Sequence, residues 1–185
     1  LAQNFGSKIS SDAIKRRINF RYVHVNCREL RGSLQPILHR AVVAFRSNYP
    51  ARGYSAEEIL TALLQVLDEE NAFMIFTLDE FDSLIEKEGS DAVYKLTRIQ
   101  EMRPNQPQRL SFIFIIRNLD PIQKLDESAR STLQRSIINL ERYGKTQLMD
   151  ILNDRVSMAF DIGAVSEDVV ELVAELAFTE TGNAR

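Results

Sequence analysis

Two near-continuous apolar runs, Ala72-Phe73-Met74-Ile75-Phe76-Thr77-Leu78 and Leu110-Ser111-Phe112-Ile113-Phe114-Ile115-Ile116, constrain this chain more than any other feature. Runs with so little polar alternation read as strands covered on both faces, the condition of a parallel sheet. Arg21-Tyr22-Val23-His24-Val25 predicts a further strand and Ile137-Ile138-Asn139-Leu140 a weaker fourth. Between them the 3.6-residue apolar period predicts helices over Leu34 to Ser47, Ala56 to Leu67 and Asp91 to Met102. Strands separated by helices give an α/β layered fold with crossover connections. After Gly144 the pattern is purely helical: Leu148, Ile151, Leu152, Val156 and Phe160 share a stripe that ends at Gly163, a predicted C-cap. Ser166 then caps a second helix with Asp168 in its first turn. The boundary falls near Tyr143-Gly144, with an α/β core over residues 1–143 and a helical lid over residues 144–185.

The net charge of -3 on 185 residues conceals an asymmetry. Residues 1–53 carry ten basic side chains and two acidic ones, a balance of +8, and the rest carries -11. Such a split points to a polyanionic partner. A hydrophobic fraction of 44% supports a packed core and argues against disorder. No apolar run approaches the roughly 18 residues of a membrane span. The single cysteine, Cys27, excludes an intrachain disulfide and any multi-cysteine zinc site.

The chemistry concentrates at strand ends. The run ending at Leu78 is followed by Asp79-Glu80, and ligands of parallel sheets bind beyond the carboxyl ends of the strands. Adjacent acids there can divide the work: Asp79 to hold Mg²⁺ through water, Glu80 to polarise the water that attacks a γ-phosphate. The same residues also suit a helix whose first turn is acidic because the helix dipole favours anions. Asn118, after the run ending at Ile116, could hydrogen-bond both a water and a phosphate oxygen, or simply form a turn. Gly144-Lys145-Thr146 imitates the end of a phosphate-binding loop, but Asn139 stands where its first glycine belongs and it follows the acidic strand. That tripeptide reads as a turn into the lid. His24 and His39 lack metal-ligand spacing and read as structural, and Cys27 as a buried small hydrophobe.

Taken in order, Tyr22-Val23-His24-Val25-Asn26-Cys27, Leu78-Asp79-Glu80-Phe81-Asp82-Ser83-Leu84, Asn118, the helix from Gln147 to Arg155, and Gly182-Asn183-Ala184-Arg185 resemble the archaeal origin-recognition and cell-division-control initiator family of AAA+ ATPases. The resemblance implies a P-loop AAA+ parallel sheet with flanking helices and the start of a helical lid. It makes Asp79 and Glu80 the Walker B pair, Asn118 the first sensor and Arg185 the second, with ATP/ADP and Mg²⁺ as cofactors. It also implies a cytoplasmic, nucleoid-associated initiator that binds double-stranded origin DNA, helps load the replicative helicase and assembles with other initiator subunits. The insertion that meets DNA would lie near Arg46 to Ser55, with Arg46, Arg52 and Tyr54 as contacts.

Three departures accompany the resemblance. The phosphate-binding loop and first central strand are expected before Leu1, and a winged helix after Arg185. The chain then reads as an internal piece with a hole in its sheet that binds ATP poorly alone, whatever ATPase activity the intact protein has. The position of the family's trans-acting arginine holds Ser128, with Arg130 two residues later. Arg117, a large cation just before the first sensor, is unusual. Two other readings stay open: a regulatory or signalling P-loop ATPase without DNA recognition, and a degenerate initiator that does not hydrolyse ATP.

Overall fold

The computed structural model describes residues 2–99, 103–134 and 137–183. In chain order the elements are α1 (Ala2–Lys15), β1 (Phe20–Asn26), α2 (Leu34–Val43), α3 (Ala56–Glu69), β2 (Phe73–Asp79), α4 (Asp82–Thr97), β3 (Leu110–Phe114), α5 (Asp120–Gln123), α6 (Glu127–Gln134), α7 (Lys145–Ala159) and α8 (Glu167–Asn183). The three strands are parallel in the order β1-β2-β3. The chain divides into two compact units, Leu1–Ser136 and Ile137–Arg185.

In the first unit the two faces of the sheet differ in chemistry. Val23, Val25, Met74, Phe76, Leu78, Phe112 and Phe114 share one face by register and period. They join a single core with Ile37, Leu38 and Val42 of α2, Ile59, Leu63 and Leu67 of α3, and Leu84, Val93 and Leu96 of α4. The opposite face carries Tyr22, His24 and Asn26 beside Ile75, Thr77 and Asp79. There α1 lies so close that a Cβ on Gly6 would sit 2.2 Å from the Tyr22 ring, and the Tyr22 hydroxyl donates to the Ala2 carbonyl. The apolar face builds stability, and the mixed face leads to the acid pair.

Local capping fixes where the helices begin. Ser55 and Glu58 form a reciprocal capping box at the start of α3. Ser33 does not cap α2 itself; Glu88 of α4 accepts from Leu34 N at 2.9 Å and from Ser33 Oγ at 3.3 Å. Next to Glu88, Gly89 interrupts α4 with φ 68° and ψ -155°, a conformation open to glycine, which explains why a helix of 16 residues is kinked.

Several expected boundaries move. The predicted fourth strand at 137–140 is absent: its residues lie in irregular backbone, with Ile138 84% exposed. Asn139 interrupts the run and leaves three apolar residues, too few to sustain the apolar pattern of a strand. The three strands are contiguous, β2 pairing with both neighbours, so β1 and β3 form the edges of the described sheet. α2 stops at Val43, short of Ser47, and α4 begins at Asp82, nine residues before the expected start. α7 ends at Ala159 with Phe160 as its cap, while Gly163, at φ 84°, belongs to the turn before α8.

One glycine locks the site end of this unit. Gly32, at φ 61°, donates to the Cys27 carbonyl at 2.8 Å, and a Cβ there would meet the Ser83 carbonyl oxygen at 2.2 Å. Gly32→Ala combines left-handed strain with a clash against backbone, and is expected to cost about 2 kcal/mol. Urea unfolding of the variant beside wild type measures it; an unchanged midpoint would refute the close approach.

Candidate functional site

Parallel pairing assembles the polar cluster. Asn26 is the register partner of Asp79, and Cys27 N donates to the Asp79 carbonyl at 2.8 Å. The carboxyl ends of β1 and β2 therefore stop side by side. Asp79 Oδ1 accepts from Glu80 N at 2.8 Å, and Glu80 takes φ 49°, a left-handed turn that redirects the chain into α4. Such a conformation is costly for a residue with a Cβ and persists where the surroundings impose it. Here Phe81 imposes it: the residue is wholly buried, its N–H donates to the Ile115 carbonyl at 2.9 Å, and its ring stacks on Phe114 at 4.3 Å.

Glu80 is 8% exposed yet its carboxylate is not isolated. Arg117 Nη2 lies 2.9 Å from Oε1, Asn26 Nδ2 lies 3.4 Å from the same oxygen, and Arg28 Nη1 stands 3.7 Å from Oε2. A buried carboxylate needs such partners, since an unpaired charge out of water is expensive. Asp79 is more open. Its Oδ2 stands 3.5 Å from His24 Nε2, and His24 Nδ1 stands 3.5 Å from the Tyr22 hydroxyl. One half-buried carboxylate suits a magnesium ion that keeps several waters and takes its other ligands from a phosphate chain. Among the described residues no group of three or more His, Cys, Asp and Glu forms an all-protein metal cage.

The structure brings together some of the expected residues and not others. Asp79 and Glu80 stand at the end of β2 as the sequence predicts. Asn118 is exposed and turned to Asp120: Asn118 Oδ1 accepts from Asp120 N at 2.9 Å, and Asn118 Nδ2 donates to Asp120 Oδ2 at 3.1 Å. The β3-end side chain that reaches Glu80 is Arg117. Asn26 and Arg28, assigned no role from sequence, complete the cluster. Their signal was the strand end Asn26-Cys27-Arg28, legible once β1 is placed beside β2. Arg185 lies outside the described residues.

The candidate DNA contacts lie in the connection between α2 and α3. Arg46 is paired with Glu69, and Tyr54 is 43% exposed with its ring 5.4 Å from that of Tyr49. Arg52 is exposed on the same connection. The connection is pinned to α2, where His39 Nε2 donates to the Tyr49 carbonyl at 3.1 Å and Gln35 Nε2 to that of Ala51 at 3.2 Å. The Ser128 hydroxyl accepts from Arg98 Nη2 at 2.8 Å. In the second unit Lys145 Nζ bonds Glu171 at 2.9 Å and Glu175 at 3.4 Å, so the lysine of the phosphate-loop imitation ties α7 to α8.

Cys27 packs wholly buried against this cluster. Burial, then the negative charges of Asp79, Asp82 and Glu80, pushes its thiol from 9.0 up to about 12. A protonated buried thiol is inert, so iodoacetamide is expected to label Cys27 only in the unfolded protein. Rapid labelling of the native protein would contradict the burial. The pH sign follows: above about pH 9 the unfolded thiol loses its proton while the folded one keeps it. The folded state then loses stability with rising pH by up to about 1.4 kcal/mol per unit, relative to Cys27→Ala.

A parallel sheet with helices on its faces, an acid pair beyond its middle strand and a separate helical unit define an AAA+ α/β domain with a lid. Residues 149–185 match the Cdc6 AAA+ ATPase-type lid domain. The ORC1-type DNA replication protein 2 of Sulfolobus acidocaldarius is 35% identical over 188 residues, covering 99% of this chain and 45% of that protein. The ORC1-type DNA replication protein of Thermococcus kodakarensis is 34% identical over 175 residues, covering 92% and 41%. Among solved structures, the Aeropyrum pernix ORC1 protein in complex with DNA superposes with a TM-score of 0.78 at 26% identity, covering 97% of this chain and 45% of that one. Cdc6p from Pyrobaculum aerophilum gives 0.72 at 25%, covering 86% and 41%. The chain belongs to the archaeal ORC1/Cdc6 family of AAA+ proteins, and spans less than half the length of the relatives it matches. No helix among the described residues is long and apolar enough to cross a membrane.

Proposed function

We propose that the protein carrying this chain is an ATP-dependent DNA replication initiator that binds double-stranded origin DNA and helps load the replicative helicase. The observation that carries the reading is the Asp79–Glu80 pair at the carboxyl end of β2, on a chain whose relatives are named ORC1-type DNA replication proteins. Asp79 would hold Mg²⁺ through water, and the ion would supply positive charge to offset that of the phosphates of ATP. Glu80 would take a proton from the attacking water, and Asn118 would hold that water once it exchanges Asp120 for it. Arg185 would bring the lid to the γ-phosphate, a role suited to a fork of permanently charged donors. The bound γ-phosphate would keep core and lid ordered, and its hydrolysis would release them, making the nucleotide a conformational switch. Assembly with other initiator subunits belongs to the same reading.

The basic balance of residues 1–53 supports a DNA partner, and the α2–α3 connection offers Arg46, Arg52 and Tyr54 to it. The test is a salt titration of duplex-DNA binding by the full-length protein. Replacing Arg46 and Arg52 together by Ala is expected to lower the salt slope by about 1 to 2 and to weaken binding across sequences. Unchanged affinity and slope would remove this connection from the DNA surface.

A further inference from the structure

The cluster around Glu80 contains two cations that the hydrolytic reading does not use, Arg28 and Arg117, and Arg117 is the nearer. Arg117 stands just beyond β3, one residue before Asn118, and its Nη2 lies 2.9 Å from Glu80 Oε1. The Arg117 side chain is 73% exposed and that of Glu80 11%, so the guanidinium reaches in from solvent over a sunken carboxylate. The backbone of Glu80 is already fixed by its left-handed turn, by the Asp79 Oδ1 contact to its N–H and by buried Phe81 beside it. Only its side-chain torsions remain, and the shortest contact acting on them is the one to Arg117. The others, Asn26 at 3.4 Å and Arg28 at 3.7 Å, are long for hydrogen bonds.

A carboxylate that activates water must bring an oxygen within about 2.6–3.2 Å of it with a lone pair free to accept the proton. Charge-assisted pairing with arginine occupies that capacity on Oε1 and fixes the rotamer that supplies it. We propose that Arg117 is a positioning residue that holds Glu80 away from the hydrolytic water and slows ATP turnover. The inference rests on the hydrolytic role of Glu80 proposed above. Because the guanidinium is mostly solvated, the restraint is modest, and its removal is worth about a two- to fivefold gain in rate.

The test is steady-state ATP hydrolysis by the full-length protein, with Arg117→Ser, Arg117→Gln, Arg117→Lys, Glu80→Gln and the Arg117→Ser/Glu80→Gln double variant. Arg117→Ser and Arg117→Gln are expected to raise kcat about two- to fivefold with KM for ATP unchanged. Arg117→Lys, which keeps a cation in reach of Oε1, should gain less. The gain should vanish when Glu80 is also replaced. Thermal midpoints near wild type in the Arg117 variants separate this from a folding effect. An unchanged or lower kcat in both neutral variants, while Glu80→Gln is inactive, overturns the restraint and leaves the hydrolytic role of Glu80 standing. Unchanged turnover in Glu80→Gln overturns both.

Discussion

Glu80→Gln in the full-length protein is expected to keep ATP bound while hydrolysis falls about 10²- to 10⁴-fold, the usual worth of a general base. The substitution is close to isosteric, and the amide oxygen can still accept from Arg117. The left-handed turn at φ 49° is no harder for Gln than for Glu, so the strand end and the start of α4 should hold. What disappears is a carboxylate able to take a proton from water. The loss should therefore fall on kcat, with nucleotide affinity retained through phosphate contacts that Glu80 does not make. ATP retention by filter binding, set beside phosphate release, separates the two. Wild-type turnover in this variant would refute the assignment of Glu80.

The acid pair was legible because an apolar run marks a buried parallel strand, and two carboxylates directly after it must fall at the sheet's ligand-binding end. Asp79 and Glu80 stand where that argument puts them. The companions of Glu80 were harder to read. Asn26 and Arg28 meet it only through the pairing of Asn26 with Asp79, a contact across 53 positions that no local pattern encodes. At the end of β3 the sequence favoured Asn118 over Arg117 for the site. The length of an arginine lets it reach back to Glu80, while a short amide finds the nearer Asp120. The first turns of α4 were missed because 82–90 offers only Leu84 and Ile85 to the core before Gly89 breaks the helix, too little for a 3.6-residue period to register. The segment 137–140 failed in the opposite sense: its composition is strand-like, but Asn139 leaves the apolar run too short to sustain a strand.

The positions of those strand ends rest on one side chain in particular. Phe81→Ala is expected to destabilise the protein by about 3–5 kcal/mol, the range for truncating a buried aromatic ring. Phe81 is wholly buried, and its ring stacks on Phe114, which itself stacks on Phe112 at 5.6 Å. Its backbone binds Ile115 on one side, and its carbonyl accepts from Leu84 N and Ile85 N on the other, opening α4. The cavity left by truncation would lie against Phe114, at the residue that follows Glu80. Against a typical net stability of about 5–15 kcal/mol, such a loss is a large fraction of the whole. Phe81→Leu, which refills most of the volume, should recover over half of it. Chemical denaturation of the three proteins measures the series, with hydrolysis followed under conditions where each remains folded. If Phe81→Ala costs less than about 1 kcal/mol, the ring is not the anchor that its burial implies. If stability falls as expected while hydrolysis per folded molecule is unchanged, the ring supports the core without orienting Glu80.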